Sequence, residues 1–238
     1  MTDWFEEWFG EEYLHLYPHR DEADAGRLVG LLTRVLPWRP GWRVLDVACG
    51  AGRHLAALER AGAVPFGCDL SWALLRRARE VTPRPLVRCD MRALPFRRAS
   101  MDLTVNLFTS FGYFAADEEH VDALGQMLAT VRPGGWFAID FLNAEQVRAS
   151  LVPAETVWYG RYAVDIRREI TPDGRFVRKS MVLSDGRRFE ERVRLLEAQD
   201  LERMLEAHGA RVTTRAGDYE GGPLERGPRT ILVARVGR

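Results

Sequence analysis

The chain has very little lysine and asparagine. Lys179 is the single lysine among 34 basic residues, and Asn106 and Asn143 are the two asparagines. Arginine therefore carries nearly all the positive charge, a composition that fits a heat-adapted or GC-rich source. Cysteine is scarce as well: Cys49, Cys68 and Cys89 are odd in number and show no C-x-x-C spacing. This excludes a disulfide framework and gives no metal signature, so all three read as small buried residues. No apolar run reaches the ~18–20 residues of a membrane span. Met1-Thr2-Asp3-Trp4 also lacks the charged-then-apolar layout of a signal peptide. The expectation is a cytoplasmic chain with no membrane partner. Thirty-four acidic residues cancel the basic ones, leaving no overall field for a polyanion, so a small or neutral partner is expected in preference to nucleic acid.

What the chain does have is enough apolar content, 46% of 238 residues, for one α/β core with modest additions. Residues 4–20 set Trp4, Phe5, Trp8, Phe9, Tyr13, Leu16 and Tyr17 among acids at amphipathic spacing. A second helical pattern runs from Asp21 to Leu36 and stops at Pro37. Residues 1–39 thus read as a helical lid. From 40 to 145 short apolar strands (42–47, 64–69, 85–89, 102–108, 135–141) alternate with helices (53–62, 71–80, 117–131), the rhythm of a mostly parallel sheet covered on both faces. Residues 146–197 turn to strand runs at 162–170, 175–183 and 188–196 around Pro172-Asp173-Gly174 and Ser184-Asp185-Gly186, an antiparallel β insertion. A helix at 198–208 and strands near 211–215 and 229–236 return to the core sheet.

Ligands of such sheets bind beyond the carboxyl ends of the strands. Asp46, Asp69, Asp90 and Asn106 fall on that rim. Asp46-Val47-Ala48-Cys49-Gly50-Ala51-Gly52 is a strand end and a small-residue turn entering a helix, built for close approach of backbone N–H groups to a ligand. A nicotinamide fingerprint wants a third small residue three places after Gly52, where Leu55 stands, and has no acid four places before Gly50. Asp69, followed by Leu70, can accept hydrogen bonds from both hydroxyls of a ribose. Asp90-Met91 offers an acceptor for an exocyclic amine and a soft surface for a purine face. One such aspartate is commonly a helix cap, but three on consecutive strand ends point to a nucleoside.

These motifs resemble the class I S-adenosylmethionine-dependent methyltransferases over residues 40–145, with Val131-Arg132-Pro133-Gly134-Gly135 resembling the loop before their fifth strand. Ala48 departs from the family, standing at its first glycine. The resemblance implies a Rossmann-like seven-stranded sheet, S-adenosyl-L-methionine as cofactor and S-adenosyl-L-homocysteine as product. It implies Asp46, Ala48, Gly50, Gly52, Asp69, Leu70, Asp90, Met91 and Asn106 as cofactor residues. Asn106 to Phe114 is similar to small-molecule methyltransferases such as amino-sugar N-methyltransferases, in which an N-terminal tyrosine closes over the cofactor. Tyr17 matches it, and the Arg20 guanidinium suits the methionine carboxylate. Tyr113 resembles a position near the acceptor, where it would act as the catalytic residue. His54 and His120 are weaker candidates, and Asp140 and Asn143 are expected to line the acceptor pocket. Leu107-Phe108 after Asn106 departs from the Pro-Pro-aromatic motif of enzymes that methylate base amines. The expected function is methyl transfer to an N or O nucleophile of a small molecule. The alternatives are RNA or protein methylation at the same cofactor site, for which the arginines of residues 76–98 speak, and a non-catalytic cofactor-binding regulatory subunit.

Overall fold

The computed structural model describes Phe5, residues 22–159 and residues 162–237. The expected lid helix over residues 4–20, with Tyr17 and Arg20, lies outside them except for Phe5. In chain order the elements are α1 (Glu22–Val35), β1 (Arg43–Val47), α2 (Arg53–Arg60), β2 (Val64–Asp69), α3 (Trp72–Val81), β3 (Leu86–Arg88), β4 (Met101–Asn106), α4 (Asp117–Thr130) and β5 (Val131–Leu142). There follow α5 (Ala144–Ser150), β6 (Ala154–Tyr159), β7 (Tyr162–Ile170), β8 (Phe176–Leu183), β9 (Arg188–Arg194), α6 (Ala198–Ala207), β10 (Ala210–Ala216) and β11 (Arg229–Val236).

Seven strands form one sheet in the order β10-β11-β5-β4-β1-β2-β3. All pairs are parallel except β5 with β11 and β11 with β10. The chain winds outward from β1 through β2 to β3, then returns to β4 on the other side of β1. The β1–β4 boundary is therefore the switch point, where strand ends diverge and leave a crevice. Both faces are covered, so β1 is buried along Val44-Leu45-Asp46-Val47 and shows no polar alternation. One face packs Phe111, Leu124, Met127, Phe137, Phe141 and Leu201. The other packs Leu28, Leu32, Val44, Leu58 and Leu103. Each such side chain contributes about 1.5–3 kcal/mol by leaving water.

The second sheet is antiparallel, in the order β6-β7-β8-β9. Its turns use Gly174 (φ 71°) and Gly186 (φ 89°), positions where a left-handed backbone favours glycine. Three strands were expected here and four are present. β6 is an edge strand whose residues are exposed or half-buried, so it carries no clean apolar alternation to read. The short α5 was likewise unmarked by periodicity; it starts on Asn143, whose side chain accepts from the N–H groups of Glu145 and Gln146. Val131 to Gly135, expected as a loop, continues into β5, with Val131 paired to Met101 before a register shift.

Candidate active site

The turn after β1 is left-handed at Ala48 (φ 61°), Gly50 (φ 54°) and Gly52 (φ 85°). Ala48 accommodates its methyl group at a cost of about 1–2 kcal/mol. Gly52 is a packing requirement: a Cβ there would lie 3.0 Å from Val81 Cγ2 and 3.1 Å from Ala78 Cβ of α3. Gly50 differs, since a Cβ there would have nothing within 4 Å. One glycine seats a helix and the other faces open space.

Asp69 fastens this turn. Its Oδ2 accepts from the Gly50 N–H and its Oδ1 from the Ser71 N–H, each at 2.8 Å. Burial pushes its carboxyl up, and these N–H groups oppose the shift. Asp46 is buried at the end of β1, and its Oδ2 has no hydrogen-bond partner among the described residues. Burial, then the nearby Asp69 carboxylate, raise its pKa to about 8 against the pull of Arg53. Asn106, buried at the end of β4, donates from Nδ2 to the Val47 carbonyl at 3.0 Å, while its Oδ1 has no partner among the described residues. Asp90 follows β3 and holds Arg92, whose guanidinium also reaches Glu119 at 2.7 Å. Leu70 and Met91 pack half-buried at the edge of the same apolar cluster. The structure thus brings Asp46, Asp69, Asp90 and Asn106 to the carboxyl ends of four adjacent strands.

The loop from Leu107 to Phe114 crosses the crevice. Phe108 (φ 57°) and Thr109 (φ 59°) are consecutive left-handed residues, a strain the surroundings must hold. They do so through Asp140: its Oδ2 accepts from the Phe108 N–H at 2.9 Å and its backbone carbonyl from the Thr109 N–H at 2.9 Å. Asp140 Oδ1 accepts from Arg229 Nε at 2.7 Å, and the Tyr219 hydroxyl donates to Oδ2 at 3.1 Å. Arg53 and Arg229 lie over the Phe108 ring at 4.0 and 5.4 Å. Tyr113 OH donates to the Thr109 carbonyl at 2.6 Å. Phe5 packs on Tyr113 and Phe114, with ring centroids 6.2 and 6.0 Å apart.

Asp140 and Asn143 therefore differ from their expected place on a pocket wall. Asp140 is completely buried in its network with Arg229, and Asn143 caps α5 and donates to the Leu224 and Gly227 carbonyls at 2.9 and 3.0 Å. Both fasten loops. Burial drives the His54 pKa down to about 3, and the His120 pKa is also lowered by burial, its ring lying between Phe111 and Phe114. A pKa so low makes His54 a weak base at neutral pH. Arg229 and Tyr219 carried no local motif; the pairing of β11 with β5 brings Arg229 to Asp140 from 89 residues away.

Residues 44–135 match a family described as a methyltransferase domain. The dTDP-3-amino-3,6-dideoxy-alpha-D-glucopyranose N,N-dimethyltransferase of Streptomyces fradiae is 34% identical over 131 residues, which cover 52% of this chain and 49% of that protein. A demethylmenaquinone methyltransferase of Corynebacterium kroppenstedtii is 35% identical over 99 residues, covering 41% of this chain and 40% of that one. The chain spans about half or less of the length of these curated relatives. Among solved structures, the CcbJ methyltransferase from Streptomyces caelestis aligns over 98% of this chain and 99% of its own, with a TM-score of 0.81 and 19% identity. The sugar N-methyltransferase KedS8 from Streptoalloteichus sp. aligns over 96% and 94%, with a TM-score of 0.73 and 24% identity. At such identities the likeness is one of fold. Residues 44–135 thus match a methyltransferase-domain family, and the chain has the fold of the class I S-adenosylmethionine-dependent methyltransferases.

Proposed function

We propose that the protein transfers a methyl group from S-adenosyl-L-methionine to an N or O nucleophile of a small-molecule acceptor, releasing S-adenosyl-L-homocysteine. One observation carries this reading: two buried acceptors without partners among the described residues, Asp46 Oδ2 and Asn106 Oδ1, flank the β1–β4 crevice beside the open side of Gly50. Buried polar atoms left unmatched cost free energy until a ligand supplies donors. An amine-bearing nucleoside derivative has such donors.

In this reading Asp69 receives the ribose hydroxyls while keeping its bonds to the turn. Asp90, Met91 and Leu70 bound the adenine. Asp46, Ala48, Gly50, Gly52 and Asn106 line the amino-acid end, and Tyr17 and Arg20 are assigned by resemblance to closure and to the methionine carboxylate. The cofactor brings a methyl group already activated on a sulfonium, so the protein's work is positioning and exclusion of water. Tyr113, anchored on Thr109, orients the acceptor. Net charge of zero favours a small acceptor over a polyanion, and the two curated relatives named above are a sugar-nucleotide and a quinone methyltransferase by name.

The test is incubation of the chain with labelled S-adenosyl-L-methionine and, separately, metabolite, tRNA and protein fractions, with mass identification of the labelled product. Label in the metabolite fraction supports the proposal; label confined to tRNA or protein overturns the acceptor class. Asp69→Ala should weaken S-adenosyl-L-homocysteine binding about 30- to 150-fold by calorimetry, the equivalent of roughly 2–3 kcal/mol for hydrogen bonds to a charged group. Unchanged affinity would remove the ribose assignment.

A further inference from the structure

The face of the four-stranded sheet that turns toward the core is apolar at both ends and charged between them. At one end Val164, Ile166, Met181 and Leu183 pack on Leu74 of α3, the helix that follows Asp69 and Ser71. At the other end Val193 of β9 closes on the crevice loop: a Cβ at Gly112 would lie 3.1 Å from Val193 Cγ1, and the Arg194 N–H donates to the Gly112 carbonyl at 2.7 Å. Helix α3 leaves β2 and the Gly112 loop leaves β4, and β1 lies between these strands in the core sheet. This face therefore passes over the carboxyl end of β1, where Gly50 opens to space.

Lys179 of β8 and Glu191 of β9 are direct cross-strand partners in the middle of it. Strand alternation places Lys179 on the same face as Met181, and Glu191 on the same face as Phe189 and Val193. The charged groups are 3.7 Å apart and each side chain is 18% exposed, against 44% and 58% for the Arg178–Glu169 pair on the opposite face. A sheltered ion pair loses more hydration than a surface pair and is often replaceable by apolar residues without loss of stability. Arg168 of β7 stands across from Lys179 on this face and is paired with Glu155, which leaves the Glu191 carboxylate as the acidic end of a charged row set between Met181, Phe189 and Val193. The lysine itself is the single one in an arginine-dominated chain, and a compact ammonium meets a carboxylate as a point charge where a guanidinium would impose a planar fork.

We propose that Glu191 is a specificity-determining residue of the acceptor site, accepting hydrogen bonds from amine or hydroxyl donors of the acceptor, with Lys179 as the positioning residue that holds its carboxylate. The proposal rests on the methyltransferase reading above. A carboxylate presents about four acceptor directions, so pairing with a lysine is compatible with a ligand donor. An acceptor without donors displaces water from that carboxylate without replacing its hydrogen bonds and is discriminated against by roughly ten- to a hundredfold.

The test uses the full chain saturated with S-adenosyl-L-homocysteine and titrates two probes by calorimetry: 3-amino-3-deoxy-D-glucose, rich in donors, and 1,4-dimethoxynaphthalene, flat and without any. The amino sugar is expected to bind more tightly, and Glu191→Gln to weaken it about tenfold or more while leaving cofactor-product affinity unchanged. Lys179→Met should weaken amino-sugar binding while leaving cofactor-product affinity unchanged, and Lys179→Arg should restore it only in part, because a planar fork replaces the point charge. Tighter binding of the naphthalene, no binding of the amino sugar to the loaded protein, or an unchanged affinity in Glu191→Gln overturns the proposal. Failure of S-adenosyl-L-homocysteine itself to bind overturns the methyltransferase reading, and this inference with it.

Discussion

The two sheets treat charge in opposite ways. At the carboxyl rim of the seven-stranded sheet Asp46, Asp69 and Asp140 are all buried, where an ionised carboxylate costs several kcal/mol unless it is matched. On the outer face of the four-stranded sheet charges stand in water and pair across strands, as Arg178 does with Glu169. Such pairs contribute about 0–1 kcal/mol each. The difference teaches where to look for chemistry: buried charge survives only where geometry or a ligand compensates it, whereas surface charge needs no special reason. The Asp140 carboxylate is compensated by Arg229, Tyr219 and the Phe108 N–H; Asp46 Oδ2 has no such partner among the described residues. That contrast inside one rim separates a structural fastener from a candidate ligand group.

The contrast can be broken most severely at Arg229. Arg229→Ala strands the buried Asp140 carboxylate and should cost about 3–5 kcal/mol, read as a lower urea midpoint; a loss under 1 kcal/mol would show that the pair is not a fastener. The pH dependence of stability sharpens the other half. An acid with a raised folded pKa holds its proton in the fold after the unfolded chain has released it. Between the ordinary carboxyl value of 3.8 and about 8, Asp46 therefore draws stability down as pH rises. Asp46→Asn should flatten that decline, by on the order of a few kcal/mol between pH 5 and 8; parallel wild-type and variant profiles would place the proton elsewhere. Gly112→Ala should cost about 1–3 kcal/mol, since φ is 89° and the new Cβ meets Phe141 and Val193 at 3.0 and 3.1 Å. At the small end, Arg178→Ala on the outer face should change stability by at most about 1 kcal/mol in denaturant titration. A larger loss there would dissolve the distinction between the two sheets.

The elements that were readable in advance are those whose burial is repeated in the local pattern. β1 and β2 are short, mostly apolar runs because both their faces are covered, β4 alternates Met101, Leu103 and Val105 with polar residues, and the polar residues near their carboxyl ends, Asp46, Asp69 and Asn106, stand out. The glycine-rich turn was visible, yet only the structure separates the two roles of its glycines: Gly52 makes room for α3, and Gly50 leaves the crevice open. β6 escaped notice because an edge strand has one neighbour and exposed positions, so its residues obey no strict alternation. Asp140 and Asn143 were placed on the correct side of the sheet and given the wrong task, because a side chain's partners cannot be seen from its own neighbourhood.

Composition and local pattern were sufficient for the fold class and for the row of acids on adjacent strand ends, since both follow from periodicity and from the position of polar residues within apolar runs. Packing of distant segments decided the rest. Arg229 reaches Asp140 because β11 runs back along β5, and the β8–β9 register that pairs Lys179 with Glu191 turns them to the same face as Met181, which packs with Leu74 of α3. These contacts join residues far apart in the chain or depend on which face a register turns inward. Neither quantity is encoded in any single stretch of sequence.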